Sequence, residues 1–433
     1  MNKSKTFPLR PAPKRDRFVI VGAGLAGLRA AERFRELGFT GELVVIGAER
    51  RRPYHRPALS KGLLTGEVRP RDLTLRGYVP LDAIWRRGTH VLKLDPRRHV
   101  VELAGEEEIR YDGLVIATGV QARHLPGAPR YDLRVHVLRT MGDALALRRG
   151  LTVGGKVVVI GGGFTAGEVA STAREMGCDV TIVSRSPVLL GKVVGDTMGE
   201  QIADLHRASG ITLETGVEVT HWLAKPWGLV MRLSNGKQLV AGTVVLAVGS
   251  TPAVQWLRGS GLTLEDGVLC RPTCHVVGAT DIVAAGDMAR WPNLAFEATP
   301  RRVEHWMNAV DMGRAAAESL LAGATEAKPF TPLPRFWSEQ QGMHLQAAGM
   351  PALSQDTIPL DRKTNGKGIT GYVRNGRLIG IVGRDNPRGM LHWTAELKRE
   401  LRRGETLSQP LRIPPERLAE WRDERVGAQA RLN

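Results

Sequence analysis

Val19-Ile20-Val21-Gly22-Ala23-Gly24-Leu25-Ala26-Gly27 is a β-branched apolar run that stops at a glycine-rich turn and restarts in helix-forming residues. That is the order of a strand, a phosphate loop and a helix. Gly22 permits the tight turn, Gly24 lets the backbone approach a pyrophosphate lying on the helix N-terminus, and Gly27 lets helix and strand pack closely. The pattern returns at Val157-Val158-Val159-Ile160-Gly161-Gly162-Gly163-Phe164-Thr165-Ala166, with Ala166 in the third place. One such loop is weak evidence, but two in one polypeptide imply electron-transfer chemistry.

Working outward, the spacing predicts a helix over 28–37 closed by Gly38 and a strand over 42–46, a βαβ start. Glu49 follows, where an acidic side chain either holds a ribose hydroxyl or merely closes a strand end. Two further strands end alike, at Ala117-Thr118-Gly119 and Ala247-Val248-Gly249, and they bracket the second loop. The economical reading is an insertion: a first domain over 18–119 and 249–327, and a second over 120–248. A last strand of the first domain ends at Gly286-Asp287, with a helix over 310–321 behind it, and Asp287 is placed to bind a ribityl hydroxyl. From 328 the pattern changes to short alternating segments, with Asn375-Gly376 as a hairpin turn between strands over 369–374 and 378–384. The expected fold is α/β: two Rossmann-like dinucleotide-binding domains and a C-terminal α+β domain over 328–433, ending from Glu396 in an exposed helix and charged tail.

A chain of 433 residues, 42% of them hydrophobic, is long enough for two or three globular domains. No apolar run long enough to span a membrane appears, and the basic arm 1–17 has no apolar signal core, so a cytoplasmic protein with a disordered N-terminal arm is expected. Only three cysteines occur, Cys178, Cys270 and Cys274, without the paired spacing of a redox dithiol. Cys270, Cys274 and His275 lack an evident fourth ligand, so no metal is expected. Of the net charge of +17, residues 1–150 carry +13, from 29 basic and 16 acidic side chains. Arg50, Arg51, Arg52, Arg56 and Lys61 concentrate there, as a patch that steers an acidic partner or as plain solvated surface.

These residues resemble a known group, the putidaredoxin-reductase-like ferredoxin reductases among the two-dinucleotide-binding flavoproteins. Pro53-Tyr54-His55-Arg56-Pro57-Ala58-Leu59-Ser60-Lys61 is similar to one of their signature segments, and Arg302-Val303-Glu304-His305-Trp306 to another. Phe336-Trp337-Ser338 resembles the start of their third domain, and the likeness spans roughly residues 16–385 in family order. The resemblance implies a glutathione-reductase-like architecture, FAD in the first domain and a nicotinamide dinucleotide in the second. It places Arg56, Lys61, Thr118, Gly119, Gly286, Glu304, His305, Trp306 and Trp337 about the flavin, and Gly161, Gly163, Glu168 and Gly249 with the nicotinamide. Lys61, Glu168 and Trp306 would do the catalytic work. The implied reaction moves hydride from the nicotinamide to the flavin and passes electrons singly to an acidic iron-sulfur ferredoxin that supplies an oxygenase such as a cytochrome P450. No acid-base triad is needed.

The chain departs from the family in places. NADH-preferring members carry a carboxylate after the strand over 179–183; here stand Ser184, Arg185 and Ser186. With no carboxylate to repel a 2′-phosphate and Arg185 to bind one, NADPH is the expected donor. Thr165 replaces a larger aliphatic, which makes the nicotinamide pocket more polar, and 386–391 does not follow the usual ending. The competing functions are an NAD(P)H oxidase or quinone reductase, a basic nucleic-acid-binding flavoprotein resembling apoptosis-inducing factor, and an inactive FAD-holding scaffold; a monomer and a homodimer are both open.

Overall fold

The structure, a computed structural model, describes residues 16–362 and 367–403. Arg17–Val21 is the centre of a five-stranded parallel sheet, with Glu42–Gly47 and Ala83–Arg87 on one side and Gly113–Ile116 and Ile282–Ala284 on the other. Strands covered on both faces read as continuous apolar runs, and Val19, Ile20, Leu114 and Val115 are fully buried. The helices Leu25–Glu36 and Trp306–Glu326 pack against each other on this sheet.

A second parallel sheet repeats the plan. Lys156–Ile160 is central, flanked by Asp179–Ser184 and Thr212–Thr215 on one side and by Thr243–Leu246 and Val135–Val137 on the other. Val19 pairs with Val44 and Leu114, as Val159 pairs with Ile182 and Val245. The chain crosses between the two sheets on Val120–Ala122 and Ser250–Pro252, which pair antiparallel directly after the turns at Gly119 and Gly249. Those two crossings bring the two phosphate loops to one side of the molecule.

The third unit is a five-stranded antiparallel sheet over 335–384 carrying the helix Pro387–Arg403. Its hairpin turns at Asn375 and Gly376, both in the left-handed region (φ 51° and 74°), the geometry that an Asn-Gly turn between twisted strands requires. Leu190, Val194, Met198 and Ile202 of the second unit share a core with Phe336, Leu345, Tyr372 and Val382 of the third.

Four expectations are revised. Arg17 is no part of a loose arm: its amide donates to Asp112 and its guanidinium to Glu42, so it opens the first strand. Helices begin earlier than their sequence signals, at Leu25 and at Trp306. The C-terminal helix starts at Pro387, where a residue without an N–H costs nothing in the first turn. The rest of the arm and the tail beyond 403 lie outside the described residues.

Candidate functional site

The first loop does what its glycines predict. Gly22 sits at φ +121°, and a Cβ there would meet the Ala117 carbonyl oxygen at 2.1 Å. Gly27 would drive a Cβ into the Gly22 carbonyl oxygen at 2.0 Å, whereas a Cβ on Gly24 meets nothing within 4 Å. Gly24 therefore keeps a space open for a ligand. In the second loop Gly161 (φ +140°) abuts Ala247 in the same way, Gly163 is open, and the buried Ala166 fills the third place.

Three helices begin on one cavity of about 960 Å³, near the upper end of the roughly 300–1,000 Å³ usual for small-molecule sites. They start after Gly24, Gly163 and His305, and none has a side-chain cap or an acidic residue in its first turn. By contrast, the helix Met141–Gly150, which also starts beside the cavity, closes its own N-terminus with a Thr140/Asp143 capping box. Uncapped N–H groups with a positive dipole end favour an anion or a polar carbonyl. Two buried donors or acceptors on the wall, Trp256 Nε1 and His305 Nδ1, also lack partners among the described residues. These vacant hydrogen-bonding groups fit a large polar cofactor.

One end of the cavity is clasped by charge. Glu49 accepts from Arg56 (2.6 Å) and from the Tyr54 hydroxyl (2.7 Å), and Arg56 also donates to the Arg139 carbonyl oxygen (2.7 Å). Burial pushes the Tyr54 hydroxyl up to about 12, so it stays protonated and donates to Glu49. Arg139 reaches Asp287 (2.8 Å) and the Val120 carbonyl oxygen (3.1 Å). Thr118 is tied to Ala253, Gly119 lies against Arg139, and Gly286 faces Ala26. The basic cluster of the sequence thus divides: Arg56 and Lys61 turn inward to carboxylates, while Arg50, Arg51 and Arg52 are exposed and make no ion pair among the described residues.

At the other end Lys61 Nζ lies 2.7 Å from Glu168, which also accepts from Ser60 (2.5 Å) and Ser338 (2.7 Å). Glu168 is buried and Lys61 only partly exposed, and both line the cavity. Glu304 lies at the mouth, held by Ser250 (2.7 Å) and Arg302 (2.5 Å). His305, behind it, is pushed down to about 4 by burial and is neutral at pH 7. Trp306 and Trp337 complete the wall.

Beside this wall, Gly161, Gly163 and Ala166 hold the second loop, from which Phe164, Thr165 and Glu168 reach into the cavity. Arg185 is exposed just beyond the strand that ends at Ser184. Ser184 departs from expectation. Its side chain is buried beneath Gly162 and exchanges hydrogen bonds with Ser186, so it shapes the turn that presents Arg185 and does not itself face a ligand. Gly249, with φ +96°, turns the chain into its crossing strand away from the cavity wall.

Sequence reasoning missed Arg139, Trp256 and Ser338 as site residues. Arg139 had a signal, because it directly precedes the Thr140-Met141-Gly142-Asp143 capping box. The three cysteines stay away from the cavity: all are buried free thiols, with Cys270 pushed up to about 12 and Cys274 well above its ordinary value by burial. None is a reactive thiolate.

Two phosphate-loop sheets opening on one cavity, with a lysine–glutamate pair at their junction, define a flavoprotein oxidoreductase that works with a pyridine nucleotide. The chain belongs to the pyridine nucleotide-disulphide oxidoreductase family, whose model matches residues 16–313. It is 32% identical over 376 residues (86% of this chain, 91% of the relative) to the ferredoxin–NAD(+) reductase component of the p-cumate 2,3-dioxygenase system of Pseudomonas putida. It is 33% identical over 379 residues (85% and 89%) to a terpredoxin reductase of a Pseudomonas species. Among solved structures, the covalent putidaredoxin reductase–putidaredoxin complex matches with a TM-score of 0.83 at 27% identity, covering 89% of this chain and 93% of that one. Despite the family's name, this chain has no dithiol at its site.

Proposed function

We propose that the protein is an FAD-containing, NAD(P)H-dependent ferredoxin reductase that delivers electrons singly to an acidic iron-sulfur ferredoxin, which in turn serves an oxygenase such as a cytochrome P450. The observation that carries this reading is the cavity itself: uncapped helix starts from both phosphate loops meet there, Lys61 and Glu168 lie at the junction, and no cysteine is present to divert electrons into disulfide chemistry. Relatives named as ferredoxin–NAD(+) reductases support the acceptor class.

In this reading Gly22, Gly24 and the N-terminus of Leu25–Glu36 hold the FAD pyrophosphate, Glu49 and Asp287 its hydroxyl groups, and Arg56 and Arg139 close over it. Bound FAD supplies the conversion between two-electron and one-electron transfer that no amino-acid side chain offers. Lys61 presents a fixed ammonium where negative charge collects on reduction, and the uncapped N–H groups after His305 add a dipole of the same sign. Trp306 and Trp337 exclude water, and neutral His305 adds hydrogen-bonding capacity without a second full charge. Phe164 and Thr165, at the start of the second helix, bound the space for the nicotinamide.

NADPH is the proposed donor, although the relatives' names carry NAD(+). Arg185 supports it, standing exposed on a turn with no carboxylate between 184 and 186. The exposed Arg50, Arg51 and Arg52, with Arg51 and Arg52 on the rim of the cavity, support an acidic partner.

Anaerobic mixing tests the reading. The yellow protein should bleach with NADPH faster than with NADH, and an acidic ferredoxin should reoxidise it with a rate that falls as salt rises. No bleaching with either nicotinamide refutes the reductase; fast reoxidation by quinone or oxygen with none by ferredoxin reverses the order of acceptors.

A further inference from the structure

Behind the Lys61–Glu168 pair runs a buried line of polar side chains drawn from the second and third units. Ser338 Oγ donates to Glu168 Oε1 (2.7 Å), Gln340 Nε2 donates to Ser338 Oγ (2.9 Å), and His206 Nε2 lies 3.0 Å from Gln340 Oε1. Ser338, Gln340 and His206 are each at most 2% exposed, so water does not compete for these bonds. A cluster of this kind is costly, because His206 Nδ1 is enclosed without a partner among the described residues. An apolar replacement would pack the same volume without that cost.

The chain of bonds has a direction. A carboxamide oxygen only accepts, so His206 carries its proton on Nε2, and burial, which lowers its affinity for a second proton, keeps Nδ1 bare. That N–H fixes which way the Gln340 amide faces, turning its NH₂ toward Ser338. Ser338, already accepting from Gln340, has its one proton left for Glu168. If the Gln340 amide turned over, its oxygen would face Ser338 and draw that proton away from the carboxylate. Glu168 Oε1 would then be released, and with it the orientation of Oε2 that holds Lys61.

We propose that His206 is a positioning residue for the Lys61–Glu168 pair, acting through Gln340 and Ser338 as a one-way hydrogen-bond lock. The proposal rests on the reading that Lys61 faces the flavin. Gly167 belongs to the same device: a Cβ there would meet Gln340 Oε1 at 2.1 Å, so the helix carrying Glu168 approaches Gln340 only because that position is bare.

The test compares His206→Phe, which removes the N–H, with His206→Gln, which retains an amide donor. Tyr372→Phe is the control, since the Tyr372 hydroxyl bonds to Val194 across the same interface without touching the line. In the full-length protein as purified, Lys61 acetylation by acetic anhydride, read by mass spectrometry, should speed up about tenfold in His206→Phe and stay near the parent rate in His206→Gln and Tyr372→Phe. In the FAD-loaded protein, the limiting bleaching rate should fall about tenfold in His206→Phe, as for a misplaced group, with the half-saturating nicotinamide concentration unchanged. Where His206→Phe does not fold, Gln340→Met takes its place. Equal acetylation in all variants, or an equal response in Tyr372→Phe, overturns the proposal. Acetylation that responds while bleaching does not upholds the lock and refutes the placement of Lys61 at the flavin.

Discussion

His305 offers a test of the cavity that needs no partner protein. Its ring packs on Phe336 with centroids 4.9 Å apart, its Nδ1 is enclosed, and burial lowers its pKa from 6.5 to about 4 against a weaker pull upward from Glu304. The unfolded chain takes up a proton near pH 6.5 and the folded chain does not until near pH 4. Between those values the unfolded state binds more protons, so stability falls as the pH falls. The contribution is fully present above pH 6.5 and wholly lost below pH 4, and the full interval is worth about 3 kcal/mol at 1.36 kcal/mol per unit. Between pH 7.5 and 5.5 about 1 kcal/mol of it should vanish. Other histidines, the half-buried His136 and the buried His206 and His275 among them, are also lowered and add to the slope. The informative quantity is therefore a difference. His305→Phe keeps a ring against Phe336 but cannot titrate, so urea unfolding at the two pH values should show the variant losing about 1 kcal/mol less than the parent. Equal losses would mean that His305 already carries a proton at pH 5.5, and the neutral wall described above would be wrong.

The two loop glycines should part company on substitution. Gly22→Ala forces a Cβ to 2.1 Å from a carbonyl oxygen at φ +121° and should cost the soluble fold, whereas Gly24→Ala meets nothing within 4 Å and should stay soluble and folded while losing bound flavin, read as absorbance at purification. Arg185→Ala should lower kcat/KM for NADPH by roughly 10- to 100-fold, the worth of a charge-assisted hydrogen bond of about 1.5–3 kcal/mol, and leave NADH within about twofold. An equal loss with both nicotinamides would remove the 2′-phosphate role. Glu32 is wholly buried and bonded to Arg29 (2.6 Å) and to the Tyr78 amide (2.9 Å), so Glu32→Ala should destabilise by about 3–5 kcal/mol in denaturant unfolding through the buried guanidinium it leaves behind.

Where the sequence misplaced helix starts, the error has one physical origin. A helix N-terminus announces itself by Ser, Thr, Asp or Asn at the cap and an acidic residue three positions on, because these satisfy orphan N–H groups. Met141–Gly150 obeys and was nevertheless passed over, since nothing marked Thr140-Met141-Gly142-Asp143 as functional. Leu25–Glu36 and Trp306–Glu326 lack the signal, and both were read as starting three or four residues late. On the proposed reading a ligand takes the place of the cap at these positions, and the missing signal then belongs to the site. Trp306 shows the consequence: it precedes the helix expected over 310–321, yet it is the first residue of the helix Trp306–Glu326, whose N-terminus opens on the cavity.

The Glu168 environment lay beyond any such reading, for a different reason. Ser60 is 108 residues from Glu168 and Ser338 is 170, so no periodicity or spacing connects them. What joins them is the double crossing at Val120–Ala122 and Ser250–Pro252, which turns the second unit until its helix Phe164–Glu175 meets both the 56–61 segment and the third sheet. Gly167 records that meeting in sequence, but only after the fact. The fingerprint asks for a small residue at 166 to pack helix on strand, and the next position is bare for another purpose, to admit Gln340 from a different unit. A phosphate-loop helix in this protein therefore answers to two constraints on two faces. The face toward its own sheet was legible from local pattern. The face toward Gln340, which sets Glu168 and through it Lys61, exists only in the assembled chain.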